Sequence, residues 1–155
     1  MLFRSVLAVS RSGKYDQLAD EVFPAGKLNE VLAQAELIVL ALPQNSETKN
    51  IIGAAELAVC RKDAVLINVS RGGLIDPEAL RTALENKTIA AAGLDVTEPE
   101  PLPTGHPLWK CPNLLITPHI AGGGSKLSRK RLVNVVAENL ALYRAGKPLL
   151  NQIRL

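Results

Sequence analysis

An unbroken apolar run, Ala64-Val65-Leu66-Ile67, climbs directly into a polar turn, Asn68-Val69-Ser70-Arg71-Gly72-Gly73, after which Asp76-Pro77 opens a helical pattern. This order constrains the chain more than anything in its composition. A continuous apolar run suits a strand covered on both faces, as in a parallel sheet. The turn after it lies at the strand's carboxyl end, the edge where ligands collect in open α/β sheets. Arg71 stands there, followed by two glycines that let backbone or ligand approach closely. An arginine can grip a carboxylate through two parallel N–H bonds, which lysine cannot match. It can equally be a surface arginine in a tight turn, and spacing alone does not choose.

The same pattern of apolar run, polar turn and helix recurs. Val6-Leu7-Ala8-Val9 ends at Ser10-Arg11-Ser12-Gly13, and Glu21-Val22-Phe23 forms a brief strand stopped by Pro24 and Gly26. Apolar residues at 28, 31, 32 and 35 keep helical spacing. Residues 37–42 are all apolar and end at Pro43; a short helix follows near 54–59. Asp76 is a good N-cap with Pro77 at the first helical position, so a helix runs to about residue 85. Residues 90–94 read as a small-residue strand leading into Asp95-Val96-Thr97-Glu98-Pro99-Glu100. Prolines at 99, 101, 103 and 107 predict an extended, stiff loop that cannot be helix. Leu114-Leu115-Ile116 is the final strand and ends in Thr117-Pro118-His119. Gly122-Gly123-Gly124 makes a joint before a last helix over roughly 128–145, closed by Gly146 and Pro148. Strands alternate with helices, so the class is α/β with a mainly parallel sheet. No repeat, low-complexity tract or domain boundary stands out, and 1–155 reads as one unit.

Composition narrows the function classes. With 155 residues, 47% of them hydrophobic, the chain can bury a sizeable core. Aromatics at 3% leave that core to Ala, Val, Leu and Ile. A net charge of +3 is too mild to argue for nucleic acid or a membrane surface. No apolar run approaches the roughly 18 residues of a spanning helix, and no signal-cleavage pattern follows Met1. Cys60 and Cys111 stand far apart without metal-ligand spacing. The expectation is a reduced, cytoplasmic setting, inert thiols and no metal.

Four strand ends carry polar groups on one sheet edge: Pro43 onward, 68–71, 95–100 and 117–119. An arginine, carboxylates and a histidine converging there form an acid/base site, since histidine titrates near neutral pH and can pass a proton to a substrate oxygen. His119 taken alone is as well read as a structural histidine. His106, in the proline-rich loop, reads as a turn residue, and Trp109 as packing or substrate-side. Lys126, Arg129, Lys130 and Arg131 read as a solvated helical face, set unfavourably at a helix N-terminus.

These motifs together resemble the D-isomer-specific 2-hydroxyacid dehydrogenases. The residues that carry the likeness are Asn68-Val69-Ser70-Arg71-Gly72-Gly73, the stretch Gly93-Leu94-Asp95-Val96-Thr97-Glu98-Pro99-Glu100-Pro101-Leu102-Pro103, and Leu115-Ile116-Thr117-Pro118-His119-Ile120-Ala121-Gly122-Gly123. His106-Pro107-Leu108-Trp109 with Pro112-Asn113 is similar to the glyoxylate/hydroxypyruvate reductase branch. The resemblance implies a Rossmann-like doubly wound sheet and hydride transfer between NAD(P)H and a small 2-oxo acid. By position it implies that Arg71 binds the substrate's carboxylate and carbonyl, His119 is the acid/base, and Glu100 holds the histidine; Glu98 fits that last role less well. It also implies that Asp95 contacts the nicotinamide carboxamide, and that Leu42, Pro43, Val69, Ser70 and Gly122 line the cofactor. Ser10-Arg11-Ser12 stands where NAD-preferring members carry an acidic residue, so NADP(H) is favoured over NAD(H).

The departure from the family is as informative. Complete members carry a substrate domain, then a strand, a Gly-rich turn and a helix, ahead of the position matching Val6. Here the first strand and Gly-rich turn are missing, and with them the N–H cradle for the pyrophosphate. In strand order 3-2-1-4-5-6 that loss falls mid-sheet and leaves two unpaired edges that invite association. The expectation is that residues 6–9 either pair directly beside 37–42 or are poorly placed and completed by another chain. The alternatives left open are an inactive or partner-dependent fragment and a non-catalytic nucleotide-binding or interaction module. The family's homodimers are a further expectation, and the particular 2-oxo acid stays unspecified.

Overall fold

The computed structural model describes residues 5–14 and 17–152. The chain forms two compact units, Met1–His119 and Ile120–Leu155, although no boundary is visible in the sequence.

Among its described residues the first unit holds six strands: β1 (Leu7–Ser10), β2 (Glu21–Pro24), β3 (Leu37–Leu40), β4 (Val65–Asn68), β5 (Ala91–Leu94) and β6 (Leu114–Ile116). Helices α1 (Leu28–Leu32), α2 (Ala54–Val59) and α3 (Pro77–Glu85) connect them. All pairings are parallel: β1 with β2 in a two-stranded sheet, and β3-β4-β5-β6 in order in a four-stranded one. This is a Rossmann-like α/β arrangement, in which α2 and α3 make the crossovers from β3 to β4 and from β4 to β5, since parallel neighbours cannot be joined by a tight turn. Residues 6–9 do not pair beside 37–42. The first strand pairs with β2 instead, Leu7 opposite Glu21 and Ser10 opposite Pro24, leaving a channel between β1 and β3. A strand buried in mid-sheet needs a partner on each side, and β3 finds its one partner in β4. No strand, Gly-rich turn and helix precede β1 among the described residues.

The core lies between β3–β6 and the helices. Leu66, Leu74, Leu80, Ile89 and Val96 are all but completely buried, each contributing about 1.5–3 kcal/mol of apolar transfer. Asp76 caps α3, its carboxylate accepting from the N–H groups of Glu78 (2.9 Å) and Ala79 (3.0 Å), with Pro77 in the first turn. The proline-rich loop departs from the extended reading in one place. Pro107–Lys110 is a short 3₁₀ turn, which Pro107 can start because the missing N–H would be unpaired there anyway. His106 caps that turn, its Nδ1 accepting from Leu108 N–H at 3.2 Å.

The second unit is dominated by α4 (Lys126–Arg144). It starts two residues before the expected position because the Ser125 hydroxyl caps it, accepting from Ser128 N–H at 2.9 Å. Gly146, at φ +64°, lets the chain turn out of the helix. Among the described residues no helix is long and apolar enough to cross a membrane. No cluster of His, Cys, Asp and Glu among them could hold a metal ion.

Candidate active site

Every candidate residue of the first unit sits at or just past the carboxyl end of a strand. Asn68, the last residue of β4, is completely buried and organises the turn beyond it. Its side-chain N–H donates to the Arg71 carbonyl (2.9 Å), and its carbonyl oxygen accepts from Ser70 N–H (3.1 Å). The Ser70 hydroxyl in turn donates to the Leu42 carbonyl past the end of β3. The turn after β4 is thus tied to its neighbour on one side.

Gly72 ties it on the other side. A Cβ at this position would meet the Thr97 carbonyl oxygen at 2.0 Å, so only glycine lets the turn press against the loop after β5. Gly73 packs as closely, but against the end of the Gln44 side chain, which can swing aside. This is the physical content of the paired glycines beside Arg71.

After β5, Asp95 is 5% exposed and accepts from the Thr117 hydroxyl at 2.5 Å, which joins the ends of β5 and β6. His119 follows with φ +54°, a left-handed conformation that histidine tolerates better than most residues but that still strains the backbone. Its N–H holds the turn by donating to the carbonyls of Asp95 (2.9 Å) and Thr117 (3.1 Å). The side chain reaches Glu100, with Nδ1 to Oε1 at 2.6 Å. Both lie on a cavity of about 280 Å³ lined also by Asp95, Thr97, Leu102, Trp109, Ile116 and Thr117. Glu98 is exposed, outside that lining.

Arg71 does not share this cavity. It lines a wider, more open one of about 710 Å³ with Pro43, Gln44, Asn45, Ser46, Lys49 and Ser70. One guanidinium N–H is spent on the Ser70 carbonyl, at 2.7 Å. The sequence places the arginine, carboxylate and histidine in a single crevice; the structure pairs Glu100 with His119 and sets Arg71 on the adjoining loop, joined to theirs through Gly72 and Thr97.

The remaining candidates disperse along the same edge. Leu42 is half-buried beyond β3, Pro43 lines the Arg71 cavity, and Val69 is exposed. Past β1, Arg11 is exposed between two serines whose hydroxyls accept backbone N–H groups, Ser10 from Gly13 (3.1 Å) and Ser12 from Lys14 (3.4 Å). Gly122 belongs to the second unit. Sequence reading named Asn68 and Thr117 only as polar strand ends, without a site role, and missed Lys49. Asn68 and Thr117 signal only as polar residues at strand ends, which many strand ends show, and Lys49, in the loop between β3 and α2, has no such signal. Burial raises the thiol pKa of both cysteines; beyond it Glu56 adds to the rise at Cys60, and Glu85 at Cys111.

Residues 3–121 match the family model for the D-isomer specific 2-hydroxyacid dehydrogenase NAD binding domain. A glycerate dehydrogenase of Methylorubrum extorquens is 41% identical over 136 residues, covering 84% of this chain and 43% of that protein. A glyoxylate reductase of Aeropyrum pernix is 39% identical over 120 residues, covering 77% of this chain and 36% of that protein. The chain therefore spans less than half the length of these relatives. Among solved structures, the D-isomer specific 2-hydroxyacid dehydrogenase of Xanthobacter autotrophicus Py2, in complex with NADPH and MES, superposes with a TM-score of 0.83 at 38% identity. That superposition covers 97% of this chain and 61% of the other.

Proposed function

Because this chain belongs to the D-isomer specific 2-hydroxyacid dehydrogenases and carries their NAD-binding domain, we propose that its site serves hydride transfer between NADP(H) and a small 2-oxo acid of the glyoxylate or hydroxypyruvate kind. The observation that carries this reading is the His119–Glu100 pair, 2.6 Å apart on the cavity that Asp95 also lines.

The residues fit a dinucleotide at both of its ends. The turn after β1 offers an exposed guanidinium, Lys14 and two serines with no carboxylate among residues 10–14, a donor set for a 2′-phosphate rather than a ribose hydroxyl. At the far end Asp95 is a buried acceptor suited to a carboxamide N–H. The NADPH bound by the Xanthobacter relative supports the phosphate reading.

The chemistry the cofactor supplies when bound is the hydride. The chain's own residues do the rest. Glu100 holds His119 at Nδ1, which fixes the ring and leaves Nε2 to give a proton to the substrate's C2 oxygen on reduction and to take it back on oxidation. Arg71, with four of its five N–H donors beyond the Ser70 bond, forks the substrate carboxylate. Trp109 and Leu102 give the His119 cavity an apolar wall, which keeps water from competing for the proton.

A second reading, a nucleotide-binding module that turns over only with a further polypeptide, is favoured by the open channel between β1 and β3. NADPH titrated against the purified chain separates the two. Saturable binding with reduction of glyoxylate supports the first, and no binding at millimolar NADPH excludes autonomous catalysis. Where binding occurs, Arg71→Ala is expected to abolish glyoxylate reduction while leaving NADPH affinity unchanged. Equal loss of both would assign Arg71 to the cofactor instead.

A further inference from the structure

Arg71 and Lys49 are the two cations of one open cavity of about 710 Å³, and its lining holds no acidic residue. Glu47, two residues before Lys49, is exposed and outside that lining. Among the described residues neither cation has an ion-pair partner, whereas Lys27, Arg61 and Arg81 each bind a neighbouring carboxylate. Gln44 and Asn45 add amide N–H donors to the same lining.

The backbone fixes Lys49 opposite Arg71. Within the loop after β3, Asn45 Oδ1 accepts from the N–H groups of Glu47 (2.9 Å) and Thr48 (3.0 Å). The Thr48 hydroxyl donates to the Pro43 carbonyl (2.8 Å), and the Lys49 N–H to the Asn45 carbonyl (3.0 Å). Where the loop begins, the Leu42 carbonyl accepts from the Ser70 hydroxyl; where it ends, the Asn50 N–H donates to the Gly73 carbonyl at 2.8 Å. The loop that carries Lys49 is therefore pinned at both ends to the turn that carries Arg71.

We infer that Lys49 sets substrate specificity: it binds a second carboxylate at the far end of a 2-oxo acid whose first carboxylate Arg71 holds. The inference rests on the reading of Arg71 as the grip for the substrate's carboxylate. One carboxylate satisfies one cation. With no acid in the lining, the other cation is left for a second negative charge on the same ligand. The guanidinium fork suits the planar carboxylate beside the carbonyl. The ammonium is a point charge on a flexible stem and can follow a distal carboxylate whose position varies with chain length. The cofactor's phosphates are the competing occupant for two cations on this edge, and NADPH affinity in a Lys49 variant decides between them.

The test is an NMR titration of the full chain, following backbone amides, with 2-oxoglutarate and separately with 2-oxopentanoate. The second acid has the same carbon number but ends in a methyl group instead of a carboxylate. At low salt 2-oxoglutarate is expected to bind about five-fold more tightly, the upper end for an exposed ion pair. Amides of residues 45–50 should shift with it and not with 2-oxopentanoate. Lys49 is exposed and makes no side-chain hydrogen bond among the described residues, so its variants should fold. Lys49→Met should abolish the preference and Lys49→Arg restore it, with NADPH affinity retained in both. Equal binding of the two acids, a preference that survives Lys49→Met, or a loss of NADPH affinity in Lys49→Met of about five-fold or more would each overturn the assignment. Glutarate and pentanoate, which lack the carbonyl, separate this inference from the dehydrogenase reading. A glutarate preference that Lys49→Met abolishes, in a chain that reduces no 2-oxo acid, keeps the two-cation site and removes that reading. Glyoxylate reduction with no preference for either dicarboxylate does the reverse.

Discussion

Replacing Gly72 by alanine separates two opposite expectations. Gly72 does not occupy the left-handed region, so alanine can adopt its backbone conformation. On chain entropy alone the substitution should stabilise the fold by about 0.4–1 kcal/mol. The packing says otherwise. The added methyl would sit 2.0 Å from the Thr97 carbonyl oxygen and 2.1 Å from its carbon, whereas ordinary contact begins at 3.4 Å. Both sides of the contact are backbone, so no side chain can swing away, and the two loops must part by more than about 1 Å. Overpacking of this kind costs about 1–3 kcal/mol, and a backbone-on-backbone clash belongs at the upper end. After the entropic gain is subtracted, the net loss is about 2 kcal/mol. That lowers the urea midpoint by roughly 1 M for an m-value near 2 kcal/mol/M. Far-UV circular dichroism in urea measures it. Gly105→Ala is the control, since nothing lies within 4 Å of its added Cβ and its φ is not positive; it should be neutral or slightly stabilising. The loops also carry Arg71 and Glu100, so Gly72→Ala should impair glyoxylate reduction in whatever preparation shows it. If Gly72→Ala matches the wild type in stability or exceeds it, the turn after β4 is not pressed against the loop after β5, and the reasoning that links the two cavities fails.

Two further perturbations follow from the same contacts. Asn68→Ala removes a completely buried amide that bonds to both Ser70 and Arg71. It should cost about 2–4 kcal/mol, because two part-buried backbone groups lose their partners; a loss under about 0.5 kcal/mol in the same urea assay would mean the turn holds itself. Burial and then Glu56 raise the Cys60 thiol, so its thiolate forms only at higher pH than that of a free cysteine. Iodoacetamide at pH 8.5 should alkylate it more slowly than N-acetylcysteine, and the rate should keep climbing with pH after the free thiol has levelled off. Equal rates and profiles would place Cys60 in solvent.

The sequence alone determined the alternation of strand and helix, the parallel pairing and the cap of α3. Each depends on short-range chemistry: an unbroken apolar run, an aspartate before a proline, a glycine past a helix end. It also placed the candidate residues of the first unit at or past strand ends, because that follows from chain order. What it could not determine was which polar strand ends would meet. Glu100 and His119 come from different loops, and the side chains touch only because β5 and β6 are neighbours and His119 takes a left-handed turn held by Asp95 and Thr117. Arg71 falls one cavity away because its strand, β4, stands one place further along the sheet. The tertiary structure likewise decided that β1 turns to β2 rather than β3. Strand partners are chosen by long-range geometry, and a linear pattern of apolar residues reads the same whether the next strand is present or missing.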